Sequence, residues 1–100
     1  MKRRERDPDH PTGAQLRAAR GLLNLSVKEL SERSGLAANT IKRAEGTNDL
    51  SPITRANAKL LIAILMDLGV AFVAADESCG AGVRLRHGVD VQLTRKRRAV

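Results

Sequence analysis

SVKELSERSGLAANTIKRAE, residues 26–45, is the stretch whose reading decides the fold. It holds two short helical patterns on either side of one glycine. Ser26 and Glu29 have the S-x-x-E spacing of a capping box, in which the serine oxygen takes the N3 amide and the glutamate reaches back to the N-cap amide. Val27, Leu30, Ser31 and Ser34 then share a stripe at helical spacing. Gly35 falls where the chain must turn with positive φ, which costs glycine nothing. Leu36 follows as an apolar plug. A second helix is expected over 38–45, with Ile41 and Ala44 inward, Asn39, Lys42 and Arg43 outward, and Gly46 ending it.

Two helices that cross closely need a small residue at the contact, glycine at the turn and apolar plugs beside it. Ser31, Gly35, Leu36 and Ile41 meet those needs. Such a turn holds the second helix away from the body, where its first half could enter a major groove about as wide as a helix.

On the N-terminal side, Thr12 and Gln15 form a second capping box, T-x-x-Q, and predict a helix over 13–23 with Leu16, Ala19, Leu22 and Leu23 on one face. Asn24 suits a left-handed residue at its end. Residues 1–11 read as a flexible arm of mixed charge. On the C-terminal side, 47–51 is a polar loop and Ser51-Pro52 reads as a helix start with proline at N1. Ile53, Ala56, Leu60, Leu61, Ile64, Leu65 and Leu68 are its expected apolar face, up to Gly69; whether this long helix is continuous or broken is open. After Gly69 the pattern shifts to strands. Val70 to Ala74 is β-branched and aromatic, and Val83 to Arg86 alternates, as do Val89, Val91 and Leu93 after His87-Gly88. These predict a small antiparallel hairpin or a three-stranded sheet over 70–94, then a basic tail, 95–100.

The expected fold is therefore mainly α: a compact domain of four to five helices over residues 12–69, followed by a β-hairpin. One hundred residues suffice for one such domain. With 42% hydrophobic residues the chain can build a core, and its net charge of +7 favours a polyanionic partner, nucleic acid before a membrane surface. Neither the arm nor the tail has an apolar face to insert into lipid. Phe72 is the one aromatic, which argues against modules that stack bases on aromatic platforms. A single cysteine, Cys79, excludes an intramolecular disulfide or a cysteine-based zinc site. No apolar leader and no membrane span is legible, so a cytoplasmic protein is expected. His10 and His87 lie in no catalytic motif and no phosphate loop is present; no catalysis, metal or cofactor is expected.

The chain resembles the lambda-repressor-like, Cro/C1-type (XRE) helix-turn-helix family. The resemblance is carried by Leu16-Arg17-x-x-Arg20, Leu25-Ser26-x-x-x-Leu30-Ser31-x-x-Ser34-Gly35-Leu36, Thr40-Ile41-x-x-x-Glu45 and Pro52, and spans about residues 12 to 69. Serine 31 stands where the family usually has alanine, and Val27 where it often has glutamine. The resemblance implies a duplex-DNA-binding transcriptional regulator, with Ala38, Asn39 and Arg43 at the family's base-contacting positions. Asn39 and Arg43 are four apart and share a face. Asparagine suits adenine N6/N7, arginine suits guanine O6/N7, and Ala38 offers a methyl to thymine. Ser26, Thr40, Lys42, Thr47 and Asn48 are candidates for phosphate. The resemblance also pairs Arg20 with Glu45 as a structural ion pair. One such helix reads only a few base pairs, so a homodimer on a palindromic site is expected, with the hairpin as the candidate dimer element because its strand edges are otherwise unprotected. The alternative is an antitoxin or a protein-interaction adaptor on the same fold, with a toxin or effector as partner.

Overall fold

A computed structural model of the protein describes residues 10–89. Among them are four helices, α1 (Gly13–Leu23), α2 (Val27–Ser34), α3 (Ala38–Ala44) and α4 (Arg55–Asp67), followed by strands β1 (Val70–Val73) and β2 (Gly82–Leu85). The mainly α architecture with a C-terminal antiparallel hairpin is as expected; there is no fifth helix among the described residues. The arm residues before His10, the strand positions Val91 and Leu93 and the basic tail lie outside the described residues.

Local signals account for four of the helix boundaries. Both capping boxes form: Thr12 Oγ1 accepts from the Gln15 amide while Gln15 Oε1 accepts from the Thr12 amide, and Ser26 and Glu29 do the same for α2. Asn24 ends α1 at φ 57° and Gly35 ends α2 at φ 80°, both left-handed. The N-cap of α3 is Ala37, which supplies no side-chain bond.

The start of α4 differs from expectation. Ser51-Pro52 does not open the helix; Thr54 does, its Oγ1 accepting from the Asn57 amide. The Ser51 hydroxyl is committed elsewhere, donating to the Ala44 carbonyl at 2.8 Å. Ile53 drops into the core from the bend ahead of the helix. The helix then runs unbroken, with Ala58, Leu61 and Leu65 as its buried face and Ala56 and Leu60 of the expected set exposed.

Leu16, Ala19 and Leu23 of α1, Leu25, Leu30 of α2, Ile41 and Ala44 of α3, the α4 residues and Val70 form one core. The strands pair Val70 with Leu85 and Phe72 with Val83, so these four side chains share the face that packs against the helices. The hairpin is thus part of the same body. Gln15 joins it to α1: its Nε2 donates to the Val73 and Gly82 carbonyls, at 3.3 and 3.0 Å, across the open end of the strand pair. No helix among the described residues is long and apolar enough to cross a membrane.

The packed body also begins earlier than the expected arm boundary at residue 11. Pro11 is buried, its carbonyl accepts from the Ser51 amide, and the His10 ring contacts the Ser51 carbonyl through Nε2 at 2.8 Å. The Gly13 amide donates to Asp49, so the 47–51 loop runs back along the start of α1.

Candidate nucleic-acid interface

The α2–α3 unit is held by bonds at its turn. Ser31, at the helix crossing, donates its hydroxyl to the Leu36 carbonyl at 2.6 Å, and Ser34 Oγ accepts from the Leu36 amide at 3.1 Å. Serine in place of alanine therefore adds a tie from α2 to the turn while remaining small. Leu36 is half-buried against the core, and Ile41 is fully buried.

With Ile41 and Ala44 facing in, α3 presents Asn39, Lys42 and Arg43 as exposed residues within about 100° of arc. Asn39 is central, with Lys42 and Arg43 on either side. Ala38 and Thr40 are half-buried at the flanks. The structure thus brings the expected reading residues Asn39 and Arg43 to one solvent-facing surface, with Ala38 at its edge.

The orientation of α3 is set at its far end. Glu45 follows the last helical residue, and its side chain is only 7% exposed. Arg20 of α1 grips it with two parallel bonds, Nε to Oε2 and Nη2 to Oε1, each 2.8 Å, and donates Nη1 to the Leu25 carbonyl. The hydrogen bonds that Arg20 donates to Glu45 raise its pKa above the ordinary value, against a smaller opposing effect of burial. A forked guanidinium on a carboxylate fixes direction as well as distance. The expected ion pair is present, and its geometry makes it a structural clamp.

Arg17, one turn before Arg20, has a role that the motif alone does not assign. Its Nη1 donates to the Glu45 carbonyl at 2.6 Å and its Nη2 to Asn48 Oδ1 at 2.8 Å. The signal was present: Arg17 and Arg20 are three apart and belong on neighbouring parts of one helix face. Together they hold both the side chain and the backbone of Glu45.

The residues expected near phosphate are less uniform. Lys42 is exposed on α3. Asn48 is exposed but its carbonyl is taken by Arg17, leaving the amide NH2 for any ligand. Thr47 Oγ1 accepts from the Asp49 amide, and Ser26 Oγ from the Glu29 amide, so each keeps only its hydroxyl proton to give. Among the described residues, no group of three or more His, Cys, Asp or Glu could hold a metal ion.

The chain matches no family model, no curated protein and no solved structure.

Proposed function

We propose that this chain is a cytoplasmic, sequence-specific duplex-DNA-binding regulator that lays α3 in the major groove and works as a homodimer on a palindromic site. The observation that carries the reading is the exposed arc of α3. A bidentate amide reader, Asn39, and a bidentate guanidinium reader, Arg43, stand on one face of a helix whose other face is clamped by Arg20, Arg17 and the Ser31–Leu36 bond. Rigid presentation matters because base edges reward donors held at fixed positions. Lys42, the Asn48 amide and the hydroxyls of Ser26, Thr40 and Thr47 are assigned to phosphates, which set register without reading sequence. The net charge of +7 supplies the long-range attraction.

The test is selection of bound duplexes from a random pool at physiological salt, followed by Asn39→Ala and Arg43→Ala on the enriched site. An enriched palindrome is expected. Each substitution should cost about 1–3 kcal/mol on that site and relax the preference at one position per half-site. If both variants keep the wild-type ratio of specific to random binding, the assignment of the readers is wrong. If no duplex is enriched and binding does not weaken with salt, the antitoxin or adaptor reading replaces this one.

A further inference from the structure

The outer face of α4 is more apolar than a solvated helix requires. Leu60 is 37% and Met66 47% exposed, and Ala56 and Ala63 are exposed beside them. Lys59 and Asp67 are the charges among these residues, and neither has an ionic or hydrogen-bond partner among the described residues. From Met66 to Leu60 the arc spans about 120°, and Ala63 lies at its middle. Lys59 and Asp67 are each four residues from Ala63, on opposite sides. Leu60 and Met66 are each three away.

That arrangement is self-complementary. If a second copy of the helix is laid antiparallel, with a two-fold axis passing by Ala63, residue 63 − n of one copy lies level with residue 63 + n of the other. Lys59 then lies level with Asp67 of the second copy, and the symmetry makes that ion pair twice. Leu60 lies beside Asp67 of the second copy, and Met66 beside its Lys59, at the two edges of the contact, because the two-fold keeps each residue on its own side of the seam. The two Ala63 methyls meet on the axis, where small side chains let helix axes approach to about 8 Å. A parallel arrangement would oppose Lys59 to Lys59 and Asp67 to Asp67 and is disfavoured.

We propose that two copies of this chain associate through α4, antiparallel, about an axis at Ala63. The β-hairpin is the weaker candidate: Val70, Phe72, Val83 and Leu85 face the protein's own core, and its other face offers Ala71, Val73, Gly82 and Arg84, of which Val73 alone is a large apolar residue. Arg86 of the same segment donates to the Met66 carbonyl and so caps the end of α4. One helix of contact is small for a specific interface, so the dissociation constant should be on the order of micromolar. The use of the dimer on a palindrome rests on the DNA reading above; its existence does not, and it is measured without DNA.

The experiment is sedimentation equilibrium of the full chain at physiological salt, without DNA, from about 1 to 300 micromolar around that expected constant. A monomer–dimer equilibrium is expected. K59E alone and D67K alone each place two like-charged pairs in the interface and should weaken association by about tenfold or more. The double variant K59E/D67K restores opposite charges and should recover most of it. Circular dichroism of each variant checks that the exposed changes leave the fold intact. The proposal is overturned if the wild type stays monomeric throughout, if the single reversals leave association unchanged, or if the double variant does not recover it. A dimer that behaves as expected, combined with no sequence preference on DNA, would defeat the DNA reading alone.

Discussion

At the scale of single residues, two positions carry consequences out of proportion to their size. Glu45 is a carboxylate almost removed from water and held by Arg20 through two bonds. Arg20→Ala leaves that carboxylate buried with no cation and should cost about 3 kcal/mol in urea unfolding. Glu45→Gln keeps the shape and loses the charge, so it should cost less than half as much. Gly13 has no left-handed backbone to explain it; it is required by close approach. A Cβ there would overlap the Thr47 carbonyl oxygen and stand 2.9 Å from that of Ala44, both of them backbone atoms that cannot rotate away. Gly13→Ala should therefore destabilise by about 3 kcal/mol by overpacking, read from the urea midpoint. Asp76 is a milder case. Its carboxylate accepts from the Cys79 and Ser78 amides, which hold its pKa below the usual value. Because the folded value is the lower one, the turn is fully supported above the ordinary carboxylate range and loses support as pH falls through the folded pKa. The Cys79 amide resonance should move with an apparent pKa below the ordinary aspartate value, and that titration should vanish in Asp76→Asn.

At the scale of elements, the capping residues were legible because a cap is a local device. Thr12/Gln15 and Ser26/Glu29 need only their own three-residue spacing. The start of α4 was not, because two residues of similar kind compete for the role and a tertiary bond decides between them. Ser51 loses its availability to Ala44, and Thr54 takes the cap. Thr54→Ala should accordingly cost about 1 kcal/mol and fray the first turn of α4, seen as faster amide exchange at Ala56 and Asn57. Ser51→Ala should leave those amides unchanged and instead loosen the end of α3. Leu60 also departs from expectation: it lies about 100° round the helix from buried Leu61 and faces outward. The turn between α2 and α3 needed no such correction, since Gly35 at φ 80° has open space around it and answers to backbone conformation alone.

At the scale of the whole molecule, the hairpin changes status. As sequence it is an extension after a helical domain; as structure, fully buried Val70 and the half-buried Phe72, Val83 and Leu85 complete the core beside α1 and α4. The described body should therefore unfold as one cooperative unit. Val70→Ala should cost about 2 kcal/mol and lower the midpoint reported by far-UV circular dichroism of the helices together with that reported by hairpin amides. Separate transitions for the two would show that the hairpin is an independent appendage.

The sequence by itself determined α2, α3 and the glycine turn between them, the capping boxes that open α1 and α2, the left-handed residues at Asn24 and Gly35, and the helix on which Asn39 and Arg43 share a face. Each of these depends on residues within one or two turns of one another, where spacing and backbone preference act without help from the rest of the chain. Only the tertiary structure decided where α4 begins, that Gln15 caps a helix and holds the hairpin at once, that Arg17 joins Arg20 in fixing Glu45, and that Gly13 must stay bare. Those facts depend on groups from 7 to 67 residues apart along the chain, brought together by a core whose packing no local pattern specifies. The exposed face of α4 belongs to the same class: its residues were legible as helical, but which of them met water was settled only by how the helix docks Ala58, Leu61 and Leu65 against the core.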